Sequence, residues 1–227
     1  MNELNTRELI CDIGLRLWRL GFVAANDGNI SCRLDENTVL TTPTGVSKSL
    51  LTPDKIVKVD MQGNILEAVN SIKPSSELPM HLICYKTRPD IKAVVHAHPP
   101  TATGFAIAHI PLDDYSMPEA IIFIGSVPIA QYGTPSTLEV PESLLPYLKD
   151  HDAILLENHG AITVGVDLMT AYFRMETLEH FAKVSLVARQ LGGAKELNME
   201  QINACIELRK KFKVSGAHPG FKKYPKI

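Results

Sequence analysis

The sequence predicts an α/β fold in which helices cover a sheet. Short apolar runs rich in β-branched residues, such as residues 91–95, stop at prolines or polar turns and are typical of buried strands. They alternate with segments in which apolar residues recur at helical spacing. The 227 residues and the 45% hydrophobic content suit one domain with a sizeable core. We therefore predict a single domain over residues 1–227, with a C-terminal tail from about residue 213.

The predicted elements follow one another without an internal repeat or an obvious linker. The first helix ends at Gly21, a suitable C-cap, and the long helix starts after Asp167, a suitable N-cap, and stops at Gly192-Gly193. The predicted helices cover residues 9–20, 79–85, 168–191 and 199–212, and the predicted strands cover residues 30–33, 38–41, 56–59, 91–95 and 153–156.

The composition argues against several classes of protein. A net charge of −2 gives no electrostatic footprint for nucleic acid, and no apolar run approaches the length that spans a membrane. The N-terminus lacks a signal-peptide pattern, and the four cysteines lack C-x-x-C spacing. We therefore expect reduced thiols in a cytoplasmic protein that binds neither nucleic acid nor a membrane.

The sequence His96-Ala97-His98 follows the predicted strand at 91–95 and stops at two prolines. Because alternate residues of a strand point to one side, His96 and His98 are expected to project together at its end. A second predicted strand runs towards His159, and the next residue, Gly160, allows a tight turn there. The third histidine favours a transition-metal site over an accidental surface pair, and three histidines at strand exits fit an open catalytic site better than a closed structural one.

Three short polar turns combine small residues with hydroxyl or amide groups, as an anion cradle does. Backbone N–H groups in such turns can converge on a phosphate without steric obstruction. Most turns of this composition only reverse the chain, and none of the three matches the P-loop or the dinucleotide-binding fingerprint. The turns occupy residues 27–31, 43–47 and 73–77. Lys48 follows the second turn and could approach an anion, although an exposed surface lysine is the commoner case.

These motifs together carry a family resemblance. They occur in the order and approximate spacing of the class II aldolase/adducin family, and the chain is most similar to its bacterial L-fuculose-1-phosphate aldolase branch. The resemblance extends from the first helix to about residue 212. No single motif is specific, whereas the ordered set is highly specific. The motifs are Gly28-Asn29-Ile30-Ser31, Thr44-Gly45, Ser75-Ser76-Glu77, His96-Ala97-His98-Pro99 and Asn158-His159-Gly160.

The resemblance implies a site that holds a divalent metal, usually Zn²⁺, with Mn²⁺ or another divalent transition metal as alternatives. Glu77 would be the catalytic acid/base and would also bind the metal when substrate is absent. The metal would otherwise be held by His96, His98 and His159. The substrate phosphate would be bound by Gly28, Asn29, Thr44, Gly45, Ser75 and Ser76.

In aldolases of this family a tyrosine from a neighbouring subunit protonates the departing aldehyde oxygen. Tyr115 is the best match, although the segment before it is slightly shorter here, and a surface-loop tyrosine is an equally weighted alternative. Tyr224 is the candidate in the tail, which matches too poorly for an assignment. Two placements stay open for His81 in the predicted short helix, the core or the site.

The resemblance also implies a three-layer α/β/α domain around a mainly antiparallel sheet, and a homotetramer with active sites at subunit interfaces. The implied reaction is reversible cleavage of a ketose 1-phosphate to dihydroxyacetone phosphate and an aldehyde. The alternatives are a family 4-epimerase, decarboxylase or dehydratase, or a non-catalytic, adducin-like binding protein. Epimerases of the family typically carry Asp at the position of Glu77, and the intact set of histidines argues against a non-catalytic protein.

Overall fold

The computed structural model describes residues 2–218. Within this part of the chain, eight strands form one mixed sheet that seven α-helices accompany. The strands are β1 (Asn29–Arg33), β2 (Thr38–Thr41), β3 (Val57–Asp60), β4 (Ile65–Glu67), β5 (Ala93–Ala97), β6 (Ile129–Ala130), β7 (Ala153–Leu156) and β8 (Gly160–Gly165). The helices are α1 (Glu3–Arg19), α2 (Leu78–Thr87), α3 (Pro100–Ile107), α4 (Pro118–Phe123), α5 (Glu139–Leu148), α6 (Leu168–Gln190) and α7 (Met199–Lys211).

Strand β5 lies inside the sheet, antiparallel to β1 on one side and to β8 on the other. The strand order is β4-β3-β2-β1-β5-β8-β7-β6. Among the strands just described, only β6 and β7 pair in parallel. The register places His96 of β5 opposite Asn29 of β1 and Ile162 of β8. Three segments that are distant in the sequence therefore meet in one row of the sheet.

Helices pack on both faces of the sheet, which confirms the predicted α/β fold with a covered sheet. Helices α1, α3 and α6 pack on one face with strand residues such as Val95, and α2 and α5 pack on the other with strand residues such as Val94. Neighbouring residues of β5 belong to opposite cores because side chains alternate along a strand. A separate apolar cluster joins α4 to α7.

The predicted long helix corresponds to α6, and its cap is confirmed. The Asp167 side chain accepts a hydrogen bond from the backbone N–H of Thr170 at 2.7 Å. The first helix, in contrast, begins at Glu3 rather than at residue 9. Asn2 caps it by accepting a hydrogen bond from the N–H of Asn5 at 2.8 Å. Its first turn is largely polar, so apolar periodicity could not mark this start.

Residues 100–150 carry no predicted helix, although α3, α4 and α5 lie there. Helices α3 and α4 begin at Pro100 and Pro118, where the missing proline N–H costs no helical hydrogen bond. Helix α5 contains Pro146 in its interior. The sequence analysis missed these helices because it took proline as the end of a regular element. The prediction also lacked strands β4, β6 and β8.

None of the helices within residues 2–218 combines the length and the apolar character that crossing a membrane requires. All four cysteines are free thiols, and Cys84 and Cys205 are buried. Burial raises the pKa of the Cys84 thiol to about 12, so this side chain stays protonated and acts as a small apolar residue of the core.

Candidate metal and active site

The three predicted histidines come together at one end of the central strands. His96 is in β5, His98 follows the end of that strand, and His159 lies in the turn between β7 and β8. The ring centroids lie 4.8, 4.9 and 5.0 Å apart, and one ring nitrogen from each histidine lies within 4.8 Å of the others. The spacing of alternate strand residues therefore placed the pair correctly, and the second strand exit supplies the third ring.

Two of the three rings, those of His96 and His98, are held by their surroundings. His96 is fully buried, and its Nδ1–H donates to the carbonyl oxygen of Ala161 at 2.9 Å, which leaves Nε2 directed at the other rings. The Nε2 atoms of His96 and His98 lie 3.1 Å apart. A Cβ atom at Gly160 would lie 2.5 Å from Cδ2 of His98, so only glycine leaves room for this ring. The left-handed residue of the turn is Asn158, with φ 55°, which corrects the turn role predicted for Gly160.

Burial favours the neutral form of two of these imidazoles. Burial lowers the pKa of His98 to about 3 and that of His159 to about 4. A neutral imidazole has a free nitrogen lone pair, and this is the form that binds a metal ion.

Glu77 faces the histidines from the start of α2, where it is the N-cap residue. Its Oε2 lies 3.4 Å from Nε2 of His96, and its Oε1 lies 3.3 Å from Nε2 of His159. Burial opposes ionisation of the carboxyl group, but the two rings and the amide of Asn29 outweigh it and hold the pKa of Glu77 well below its usual value. Glu77 is therefore a carboxylate.

The four side chains fit a divalent transition metal. Ligand atoms bound tetrahedrally to one zinc ion at about 2.0–2.1 Å lie about 3.3 Å from one another, and the closest separations here are 3.1, 3.3 and 3.4 Å. Oε1 of Glu77 is buried and accepts no hydrogen bond from the described residues. Three imidazole nitrogens and one carboxylate are the donor types that zinc and its neighbours prefer.

The three predicted turns also lie together. The second and third turns are joined by a bridge between Pro43 and Pro74, where the N–H of Thr44 donates to Lys73 at 3.0 Å. Lys48 joins the second turn to the residue just before the first turn, because its Nζ donates to the carbonyl oxygens of Val46 and Asn26 at 2.8 and 2.9 Å. Lys48 is 1% exposed, so the expectation of a surface lysine is wrong.

Two glycines shape this group of turns, which we call the polar cradle (residues 27–31, 43–47 and 73–77). Gly28 and Gly45 have φ of 72° and 71°, in the region that favours glycine. A Cβ atom at Gly28 would lie 2.9 Å from the backbone oxygen of His96, so the cradle directly adjoins the end of β5. A Cβ atom at Gly45 would meet nothing within 4 Å, so the backbone of this turn borders open space.

Sequence analysis missed one side chain at the cradle. The hydroxyl of Ser136 donates to the hydroxyl of Ser76 at 2.9 Å and brings the loop between β6 and α5 to the third turn. The segment Thr134-Pro135-Ser136-Thr137 has the same small, polar composition as the three predicted turns. This composition was the available signal.

Two predicted residues have surroundings that the sequence did not suggest. Asn29 is 3% exposed, and its amide donates to Oε2 of Glu77 at 2.9 Å. Tyr115 is also 3% exposed and packs in the apolar cluster between α4 and α7, so the surface-loop alternative is wrong. Its role as a proton donor stays a prediction. Tyr224 lies outside the described residues.

Comparisons with known proteins find relatives over most of the chain. The family model of the class II aldolase and adducin N-terminal domain matches residues 8–186, a range that contains every predicted site residue except the tail candidate Tyr224. The 3-oxo-tetronate 4-phosphate decarboxylase of Haemophilus influenzae is 33% identical over 192 residues, which are 81% of this chain and 88% of that protein. The L-fuculose phosphate aldolase of Methanococcus maripaludis (strain C5) is 35% identical over 171 residues, which are 75% of this chain and 90% of that protein.

Solved structures extend the likeness over most of the fold. One described as L-fuculose 1-phosphate aldolase matches with a TM-score of 0.83 at 31% identity, over 92% of this chain and 96% of that one. The likeness in fold therefore covers more than nine tenths of both chains.

Proposed function

Because the chain belongs to the class II aldolase and adducin family, we propose that it is a metal-dependent lyase of phosphorylated sugars. The proposed reaction is reversible cleavage of a ketose 1-phosphate, L-fuculose 1-phosphate or a related deoxyketose phosphate, to dihydroxyacetone phosphate and an aldehyde. The observation that carries the proposal is the position of Glu77. Its carboxylate lies within 3.4 Å of two of the clustered histidines, His96 and His159. In the sequence, Glu77 follows Ser75 of the polar cradle by two residues.

In this proposal His96, His98 and His159 hold a divalent ion, with Zn²⁺ as the first choice and Glu77 as a further ligand when substrate is absent. When bound, the ion supplies a Lewis acid that stabilises the negative charge left on the dihydroxyacetone phosphate fragment. No lysine Schiff base is then needed.

Glu77 moves the proton at C3. In the condensation direction its carboxylate takes a proton from C3 of dihydroxyacetone phosphate, and in the cleavage direction it returns that proton. Asn29 holds Oε2 by a hydrogen bond of 2.9 Å, which leaves Oε1 as the atom available for the transfer. A group that accepts and returns a proton must be held within hydrogen-bond reach of the reacting carbon. The hydrogen bond from Asn29 helps to hold the carboxylate of Glu77 in one position.

The polar cradle binds the substrate phosphate through backbone and side-chain donors of Gly28, Asn29, Thr44, Gly45, Ser75 and Ser76. This assignment is supported by the contacts that join the three turns and by the open space beside Gly45. Because the amide of Asn29 already contacts Glu77, Asn29 would link the phosphate end of the site to the reacting end.

Changing Ser75 to Asp should weaken the binding of phosphorylated substrate. A negative charge in an anion site repels the phosphate, and each 1.4 kcal/mol of repulsion raises KM about tenfold. We expect KM for a ketose 1-phosphate to rise by at least that factor, measured by release of dihydroxyacetone phosphate. The matched control is Ser75→Asn, because the Asn side chain has nearly the same shape as Asp but carries no charge. An unchanged KM in Ser75→Asp, or equal turnover of the unphosphorylated sugar by the wild type, would contradict the cradle.

Lys48 should make substrate binding depend on pH. Burial lowers its pKa to about 8, so the lysine loses its positive charge as the pH rises through 8. A phosphate monoester is already a dianion there, since its second pKa is about 6. We expect KM for the phosphorylated substrate to rise between pH 7 and pH 9.5 in the wild type. Lys48→Met should have a high KM that no longer follows pH in this range. A wild-type pH profile retained by Lys48→Met would exclude Lys48 as the source.

Decarboxylation is the second candidate, because the relative from Haemophilus influenzae is a 3-oxo-tetronate 4-phosphate decarboxylase. Loss of carbon dioxide from a 3-oxo acid also leaves negative charge beside a carbonyl group, so the same metal and cradle would serve. A panel of ketose 1-phosphates, followed by dihydroxyacetone phosphate release, and of phosphorylated 3-oxo acids, followed by carbon dioxide release, separates the two reactions.

The proposal includes a cytoplasmic homotetramer with active sites at subunit interfaces. Tyr115 would then protonate the aldehyde oxygen in the site of a neighbouring chain. Tyr115 packs between α4 and α7 of its own chain, and its proposed task needs a second chain.

A further inference from the structure

A buried row of polar side chains runs between β1 and α2, behind the site. Glu77, His81 and Tyr85 are four residues apart and share one side of the α2 segment, and the alternate strand residues Asn29 and Ser31 face them from β1. Four of the five are almost fully buried: Asn29 is 3%, Ser31 is 0%, His81 is 1% and Tyr85 is 1% exposed. Polar groups are expensive to bury unless each is hydrogen-bonded.

The five side chains form one continuous chain of hydrogen bonds. Tyr85 Oη lies 2.6 Å from Ser31 Oγ, and Ser31 Oγ lies 2.7 Å from Nδ1 of His81. Nε2 of His81 lies 2.5 Å from Oδ1 of Asn29. Nδ2 of Asn29 then donates to Oε2 of Glu77 at 2.9 Å.

The direction of this chain follows from its last member. A carboxylate only accepts hydrogen bonds, so the NH₂ group of Asn29 faces Glu77 and its oxygen faces His81. That oxygen needs a donor, so His81 carries its proton on Nε2. In the neutral ring Nδ1 then accepts from the hydroxyl of Ser31. Burial lowers the pKa of His81 to about 3, which agrees with a neutral ring.

We propose that His81 is a positioning residue, which acts by fixing the orientation of the Asn29 amide and through it the carboxylate of Glu77. The inference rests on the proposed function, in which Glu77 moves the C3 proton. An Asn side chain has two orientations that differ by half a turn about its last bond, and only one presents a donor to Glu77. The Nε2–H of His81 selects that orientation, because the other would place two donors face to face.

The two oxygens of Glu77 thereby acquire different tasks. Oε2 is held by Asn29, and Oε1 stays without a hydrogen-bond donor among the described residues. Without His81 the amide is free to turn its oxygen towards Glu77 and repel the carboxylate. The proton transfer by Glu77 then slows, whereas the three histidines and the polar cradle keep their own contacts.

The experiment compares His81→Met, which has no donor for Asn29, with His81→Gln, whose amide N–H can replace Nε2–H. In His81→Met, exchange of the C3 proton of dihydroxyacetone phosphate with solvent should fall about 10–100-fold. Bound metal should stay at the wild-type level, and KM should change less than kcat. His81→Gln should recover most of the exchange rate. Cys84→Ala, a buried core residue of the same helix, controls for general loss of stability measured by Tm.

Wild-type exchange in folded His81→Met overturns the inference, and so does an equal loss in Cys84→Ala or a failure of His81→Gln to recover. A spectroscopic measurement tests the direction of this chain of hydrogen bonds independently of activity. In protein labelled with ¹⁵N at histidine, His81 should be neutral and protonated at Nε2 at pH 7, and a proton on Nδ1 overturns the assignment. A wild type with no lyase activity but this tautomer would defeat the proposed function alone.

Discussion

Replacing Glu77 by Gln should lower turnover by about 10²–10⁴, the usual contribution of a positioned acid/base. Gln keeps the size of the side chain and one oxygen for the amide of Asn29, but it loses the group that takes up a proton. Bound metal should largely remain, because the three histidines are unchanged. The C3 proton of dihydroxyacetone phosphate should exchange with solvent more slowly by a similar factor, since this step needs no aldehyde.

Two further variants sharpen this test. Glu157→Gln changes another carboxylate, which precedes His159 by two residues and contacts His109 at 3.2 Å. This variant should exchange the proton at the wild-type rate. Tyr115→Phe should spare the exchange more than the full cleavage, because its proposed task is at the aldehyde oxygen. If Glu77→Gln exchanges the proton as fast as the wild type, Glu77 is not the base.

Replacing His98 by Ala should remove both the bound metal and the activity. The variant leaves two imidazoles and Glu77, and it opens the side of the cluster where His98 contacts Gly160 and His96. Elemental analysis of dialysed protein should give about one divalent ion per chain in the wild type, as an open site with three protein ligands does, and close to none in the variant.

The matched control for His98→Ala is His109→Asn. His109 has an exposed ring outside the cluster and a φ of 55°, which asparagine tolerates well. The His109→Asn variant should keep its bound metal and its activity. Full metal occupancy in His98→Ala would refute the assignment of the three histidines.

The parts of the site that depend on local patterns could be predicted from the sequence. The placement of His96 and His98 on one side follows from strand periodicity, and His159 follows from a second apolar run that ends at a polar turn. The three turns of the cradle were recognisable from their small, polar residues. Each of these predictions needs only a few neighbouring residues, and tertiary packing did not override them.

The parts that depend on distant contacts could not be predicted. Lys48 is buried because the carbonyl oxygens of Asn26, just before the first turn, and of Val46, in the second turn, meet around its Nζ. The sequence contains no sign that these two segments touch. His81 has a defined task only because β1 faces α2. Gly160 is required for the space that the ring of His98 occupies, which corrects the role in a tight turn that local reasoning assigned to it.

The position of β5 between β1 and β8 has a consequence for how the protein folds. His96 and His159 are brought together by the pairing of β5 with β8 and the turn that precedes it, and Asn29 is brought to His96 by the pairing of β5 with β1. The proposed ligand set therefore does not exist until long-range strand pairing is complete. An ion that binds this set binds only the native state, so its binding free energy adds to the stability of the whole domain. At a free concentration 1,000 times Kd, the addition is about 4 kcal/mol, a large part of the stability of an ordinary domain.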